Sequence, residues 1–207
     1  MDKVRISDLD FVYISYAEPN KEQNWADLKS KVPWAKRVDN VKGFDSAHKK
    51  AGEISESQRF ITVDADTQID EEFLSMLVDF NSLGIDDTYT LSWCGKIDLN
   101  GLQYGNGSLK CWTKEFVKEM KTHENSQGDD ESLIEFCFHD QYVAIQECYS
   151  TTVMNSTDKQ AWQAGFREGV KMSLDQGVKV SPDDFKEKIW YGNYNSCLLY
   201  TSDAADE

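Results

Sequence analysis

No run of about 18 consecutive apolar residues occurs in this 207-residue chain, so no membrane-spanning helix is expected. The opening residues, Met1-Asp2-Lys3-Val4-Arg5-Ile6, lack the apolar stretch of an export signal, and the expected location is cytoplasmic. Cysteines 94, 111, 137, 148 and 197 form no Cys-x-x-Cys and no ligand-spaced cluster with histidine. That excludes the usual structural zinc sites and leaves free thiols in a reducing compartment as the expectation. Proline is scarce, and no low-complexity tract, internal repeat or linker breaks the chain. Positive charge is also short: 22 Lys and Arg stand against 37 Asp and Glu, a net charge of −15. Such a balance weighs against a broad electrostatic grip on nucleic acid, which needs a basic face.

What is present is enough to build one core. The chain is 40% hydrophobic and 12% aromatic, at a length suited to a single domain. Residues 1–196 are read as that domain. Residues 197–207, Cys-Leu-Leu-Tyr-Thr-Ser-Asp-Ala-Ala-Asp-Glu, match the translation of a transposase end sequence used in preparing sequencing libraries. They are read as a non-native tail on a metagenomic fragment with a missing C-terminal part, and are set aside from fold reasoning.

The stretch Arg59-Phe60-Ile61-Thr62-Val63-Asp64-Ala65-Asp66 organises the rest. Phe60 to Val63 is a short, apolar, partly β-branched run, the pattern of a buried strand. It ends in two carboxylates one residue apart. In open α/β sheets ligands bind outside the carboxyl ends of the strands. Hard oxygen ligands there suit Mg²⁺ or Mn²⁺, ions commonly shared with substrate phosphates. Acidic pairs after strands also cap helices and form turns, so the surroundings must decide.

Residues 10–16 read as a first strand, followed by the loop Ala17-Glu18-Pro19-Asn20, with Asn20 as a helix cap. A helix carrying Trp25 and Leu28 follows, then a second strand over 32–38. After Gly43 a helix starts at Asp45 or Ser46 and feeds the Asp64/Asp66 strand. This β-α-β-α-β order argues for a parallel sheet with covering helices. Right-handed crossovers place the ends of the first and third strands on one edge, so that Glu18 to Asn20 and Asp64 to Asp66 share a cleft. Thr67 to Asp70 should break the run, and Phe73, Leu74, Leu77, Val78 and Phe80 predict an amphipathic helix ending near Gly84. A strand over 88–94 and the loop Gly101 to Gly107 follow, the glycines permitting close approach of a ligand. Thr113 is expected to cap a helix over 114–121, residues 133–139 are strand or buried helix, and 160–172 is helical. Trp93, Trp112, Trp162 and Trp190 read as core, with Trp112, just past the glycine loop, the best alternative as a sugar platform. His139, beside Phe136-Cys137-Phe138, is either a hydrogen-bonded histidine at the core edge or a third metal ligand.

In the order of these motifs the chain resembles a family 2-type glycosyltransferase of the GT-A fold. The likeness rests on the Pro/Asn loop Ser15 to Asn20, on Gly43 before Ala47-His48-Lys49-Lys50-Ala51, and on Ile61 to Leu74 with its Asp-x-Asp. It covers Asp10 to about Leu77, and more loosely reaches Phe138. Val32-Pro33-Trp34-Ala35-Lys36-Arg37 and Tyr104-Gly105-Asn106-Gly107 are also similar to glycosyltransferase-like proteins of tailed phages. The resemblance implies an α/β, GT-A-like (Rossmann-like), mostly parallel sheet flanked by helices. It implies a metal-dependent transferase moving a sugar from a nucleotide-diphosphate donor, a UDP-sugar first, to an acceptor hydroxyl. Asp66 would bind Mn²⁺ or Mg²⁺, with Asp64 on the ribose or the ion's water shell. Glu18 would lie near the ribose or base and Lys42 or Lys49 near phosphate. Glu124 or Asp130 would serve as base. The acceptor is open between a base in phage DNA, a glycan and a protein. Two features depart from the family: Thr67-Gln68 separate the acidic pair from Asp70, and two acidic segments compete for the role of base. A sugar-phosphate nucleotidyltransferase would need a Gly-rich, basic loop after the first strand, which Ser15 to Asn20 is not. A non-catalytic binding or structural module of the same fold is the remaining alternative.

Overall fold

Phe11, Val12 and Tyr13 are fully buried, as are Phe60, Ile61 and Val63. Strands apolar on both faces belong inside a sheet covered on both sides, and the fold is built that way. The computed structural model describes residues 3–105, 107–122, 140–172, 174–175 and 178–186. Glu124, Asp130, His139, Trp190, the 133–139 segment and the 197–207 tail lie outside the described residues.

The chain opens with β1 (Lys3–Arg5), β2 (Asp10–Ser15), α1 (Lys21–Lys31), β3 (Lys36–Asp39), α2 (Phe44–Ile54) and β4 (Arg59–Asp64). Then come β5 (Thr67–Ile69), β6 (Leu77–Asp79), the short α3 (Phe80–Leu83), β7 (Thr90–Ile97), β8 (Gln103–Tyr104), β9 (Lys110–Thr113) and α4 (Lys114–Glu119). Beyond them lie β10 (Tyr142–Thr152) and α5 (Asp158–Met172), with the small β11 (Leu174–Asp175), β12 (Val178–Lys179) and α6 (Pro182–Phe185).

The eight-stranded sheet has the order β3-β2-β4-β9-β7-β10-β5, with β8 beside β7. From the pairings, β3, β2, β4, β7 and β10 run one way, and β9, β5 and β8 the other. The expected α/β sheet, with most strands in one direction, is present. Helix α1 covers one face, where Leu28 packs with Tyr13, Ile61 and Val63. Helix α2 covers the other, where Ala47 and Ala51 pack with Val12, Phe60 and Trp112. The first face is tied further by edge-on rings, Phe11 on Phe73 and Phe73 on Trp93.

The sheet must curl. Strands β4 and β5 are separated only by the turn Ala65-Asp66, yet β9, β7 and β10 lie between them in the sheet order. At about 4.8 Å per strand a flat sheet would put them roughly 19 Å apart. The three residue steps from Asp64 to Thr67 reach at most about 11 Å.

Several expectations are corrected. Residues 71–84 do not form one helix: Glu71–Ser75 is a single 3-10 turn, Leu77–Asp79 pairs with β1, and only Phe80–Leu83 is α-helical. Packing overrides helical spacing here, since Phe73 and Phe80 are buried from separate short elements. Gly84 does end that segment, in the left-handed conformation at φ 68° that glycine adopts without penalty. The second strand begins at Lys36; Val32 to Ala35 turn instead, leaving Trp34 exposed with its indole N–H on the Leu9 carbonyl. Thr67 to Ile69 does not break the sheet but joins it, antiparallel to β10. Thr113 caps α4 as expected, accepting from the Phe116 N–H at 3.1 Å. Trp93 and Trp112 are fully buried, whereas Trp162 is 67% exposed and stacks on Phe166 along α5.

Candidate functional site

Because β2, β3 and β4 are parallel, their carboxyl ends Ser15, Asp39 and Asp64 reach one edge. From β2 the chain passes through α1 to β3 on one side, then through α2 back across to β4 on the other. Connections therefore diverge between β2 and β4. This is the topological switch point, the place where open α/β sheets bind ligands.

The acidic pair occupies that place. Asp64 closes β4, and Ala65 and Asp66 form the turn; both aspartates are half-buried. The turn is held from three directions. The Tyr13 hydroxyl lies 2.7 Å from the Ala65 carbonyl and 2.8 Å from the Lys21 carbonyl, and gives its one hydrogen to either. The Asn24 amide donates to the same Ala65 carbonyl at 2.9 Å, and Gln68 in turn donates to the Asn24 oxygen. The Val153 N–H donates to the Asp66 carbonyl at 2.7 Å. Burial pushes the Tyr13 phenol well above its ordinary pKa, and the nearby Glu18 and Asp66 charges add to this. Tyr13 therefore stays protonated, and a donor, at any physiological pH.

Asn20 does not cap α1. Its amide reaches across to the Val153 carbonyl at 2.9 Å, joining the loop after β2 to the end of β10. Val153 thus ties the Asn20 loop to the Asp66 turn. Nothing local in the sequence marked it, because its role is a pair of backbone groups brought from 133 residues away.

A second polar cluster was also missed. Asp39, at the end of β3, accepts from the Ser15 hydroxyl at 2.6 Å, from the Lys21 ammonium at 2.9 Å and from the Arg37 guanidinium at 3.2 Å. Arg37 also forks onto both oxygens of Glu22. The Ser15 hydroxyl, then Lys21, hold the Asp39 carboxyl down at about 2. Its signal was available: a charged residue ending a strand parallel to the Asp64 strand must emerge at the same edge.

The expected residues are placed as follows. Glu18 sits in the loop after β2, accepting from the Tyr16 N–H at 2.7 Å. It joins Asp66 in the field around Tyr13. Lys42 is exposed in the loop before α2, and Lys49 is half-buried along α2. Among the described residues neither is ion-paired to Asp64 or Asp66. The cations placed at this edge are Lys21 and Arg37 instead. Trp112 is not a platform; its indole N–H donates to the Thr62 hydroxyl at 2.8 Å inside the core. Gly107 serves strand packing rather than a ligand: a Cβ there would stand 2.6 Å from the Gly95 nitrogen on β7. Buried Lys110, opposite Thr62 on β9, donates to the Gly107 carbonyl at 3.0 Å.

Among the described residues no three His, Cys, Asp or Glu side chains gather as a ready-made metal cluster. Mg²⁺ sites in nucleotide enzymes need only one or two protein carboxylates, with phosphate and water completing the shell. Two aspartates at a fixed turn, with the intervening carbonyl already satisfied, fit that requirement. No helix among the described residues is long and apolar enough to cross a membrane.

What fold and edge define is an α/β protein with an acidic turn at its switch point. No family model and no curated protein matches the sequence. Among solved structures the chain is similar to the mannosyltransferase PcManGT from Pyrobaculum calidifontis in complex with GDP-Man and Mn²⁺, at 11% identity over 89% of this chain and 69% of that one, TM-score 0.47. It is similar to HddC from Yersinia pseudotuberculosis, at 12% identity over 77% of this chain and 99% of that one, TM-score 0.41. A glycosyltransferase involved in glycosylating the major capsid of PBCV-1 matches at 9% identity over 77% and 98% of the two chains, TM-score 0.39. Likenesses of this size leave the activity to be argued from the site.

Proposed function

We propose that the protein is a metal-dependent glycosyltransferase of GT-A type that takes its sugar from a nucleotide-diphosphate donor. The observation that carries this reading is the position of Asp64 and Asp66, fixed in a turn at the switch point between β2 and β4. Asp66, with Asp64 beside it, would hold a divalent ion there, which would supply positive charge to the diphosphate as it leaves. The chain's own groups then do the positioning. Tyr13, Asn24 and Val153 hold the turn so that the two carboxylates keep one arrangement. Glu18, in the loop after β2, and Asp39, at the end of β3, would lie near the ribose or base. Lys21 and Arg37 offset the negative charge gathered at this edge. Glu124 and Asp130 remain the candidates for the base that removes the acceptor proton. The loop after β2, Tyr16-Ala17-Glu18-Pro19-Asn20, carries no glycine and no basic residue, which disfavours a nucleotidyltransferase.

Calorimetry with UDP tests the reading. Binding is expected with Mn²⁺ and not after chelation, and Asp66→Asn is expected to abolish it while far-UV circular dichroism is unchanged. At a hundredfold excess over Kd, UDP with Mn²⁺ should stabilise the wild type by about 2.7 kcal/mol. Equal binding by wild type and the folded variant, or binding indifferent to metal, would overturn the proposal. Binding without transfer to any hydroxyl acceptor would favour the non-catalytic module.

A further inference from the structure

Strands β7 and β10 are parallel neighbours, and their register places Cys148 opposite Cys94. That register is not the default one. Ile145 faces Trp93, so an uninterrupted ladder would set Gln146 against Cys94; instead β10 shifts register between Ile145 and Cys148, and again before Thr151. Bulges of this kind re-aim side chains, and here the shift brings two thiols together. Their sulfurs stand 2.6 Å apart across 54 residues of chain. Unbonded sulfurs keep a wider separation, and a disulfide needs about 2.05 Å between sulfurs and 4.4–6.8 Å between the Cα atoms. Adjacent strands, about 4.8 Å apart, meet the second condition without moving the backbone. Cys94 is buried and Cys148 half-buried, so Cys148 is the more accessible residue of the pair. Cys111, the remaining cysteine among the described residues, is buried with its sulfur 3.6 Å from the Arg59 guanidinium.

We propose that Cys94 and Cys148 form a redox-active dithiol, oxidised to an internal disulfide by a low-molecular-weight disulfide of the glutathione class. The Cys148 thiolate attacks one sulfur of the small disulfide, forming a mixed disulfide and expelling one small thiolate. The Cys94 thiolate then attacks the Cys148 sulfur and expels the second. Two protein thiols are oxidised, one small disulfide is reduced to two thiols, and the two protons leave with them. Burial, and then the Cys94 sulfur, push the Cys148 thiol up to about 12, so the exchange is slow near neutrality and needs long incubation. The crosslink pins β10 to β7 a few residues from Val153, at the edge that holds the Asp66 turn. The inference does not depend on the proposed transferase activity.

The test is disulfide mapping of the whole chain after incubation with excess oxidised glutathione. The expected product has lost two hydrogens, shows the Cys94 and Cys148 peptides joined on non-reducing digestion, and reverts with dithiothreitol. Its melting temperature should rise by several degrees, because the bond closes a long loop in the unfolded chain. Cys148→Ser should show neither change. Both thiols still open to alkylation after oxidation, a stable glutathione adduct on Cys148, or a link from Cys148 to Cys137 or Cys197 would each overturn the proposal. Mapping of the wild type alone decides it should the serine variant not fold.

Discussion

The Tyr13 hydroxyl and the Ala65 carbonyl are 2.7 Å apart, and Ala65 is the residue between Asp64 and Asp66. A buried residue of the first interior strand thus sets the conformation of the acidic turn that ends the neighbouring strand. Tyr13→Phe keeps the ring and removes the donor. We expect a loss of about 1–2 kcal/mol, since Lys21 or Ala65 gives up its bond in a buried setting. Thermal melts should show a fall of about 2–8 °C. UDP–Mn²⁺ affinity should weaken in the same variant, and an unchanged affinity would mean the Asn24 and Val153 bonds suffice.

Asp39 gives a pH dependence with a definite sign. Its folded-state carboxyl is held at about 2, first by the Ser15 hydroxyl and then by Lys21, against an ordinary value of 3.8. A depressed carboxyl stabilises the fold above its unfolded pKa, and that contribution is lost as pH falls through the folded value. Wild-type melting temperature should therefore drop on acidification from about pH 4 to about pH 2. Asp39→Asn should follow a flatter curve over that window. Parallel curves for the two proteins would show that Asp39 contributes nothing to acid stability.

Gly107→Ala tests why that glycine is there. The added Cβ would meet the Gly95 nitrogen at 2.6 Å and the Trp93 carbonyl at 2.7 Å, both backbone atoms of β7. Backbone cannot swing aside as a side chain can, and we expect a cost of about 1–3 kcal/mol. A melting temperature equal to wild type would show that the loop moves freely away from β7.

Trp112 and Trp162 should behave oppositely. Trp112→Phe removes the indole donor to Thr62 and leaves a small void in the core, for an expected loss of about 1–3 kcal/mol. Trp162→Ser, at a position 67% exposed, should shift the melting temperature by little more than the scatter of the measurement. The same pair of melts checks both.

The parts of this fold that were legible in the sequence share one property: a local pattern with a single dominant reading. Phe60 to Val63 has the pattern of a buried strand, and the alternation of strands and helices over the first 66 residues argues for parallel neighbours with Asp64 at their edge. Thr113, a side chain capping the helix that starts at the next residue, was equally local. The remainder was decided at long range. Phe73, Leu74, Leu77 and Val78 carry helical spacing, yet Phe73 is buried from a 3-10 segment and Val78 from a strand paired with β1, while Leu77 stays exposed; tertiary packing outweighs propensity of a few tenths of a kcal/mol per residue. Asn20 has the chemistry of a cap, but a backbone carbonyl at Val153 took its side chain. Val153 and the Cys94–Cys148 contact act through strands distant in sequence that become neighbours, and the bulged register of β10 that aligns the two cysteines has no local signature; the Asp39 cluster, built by the consecutive β2, α1 and β3, was within reach of the strand order. Sequence alone determined which strand delivers the carboxylates. The curl of the sheet, which lets a two-residue turn bridge β4 and β5, determined what holds them.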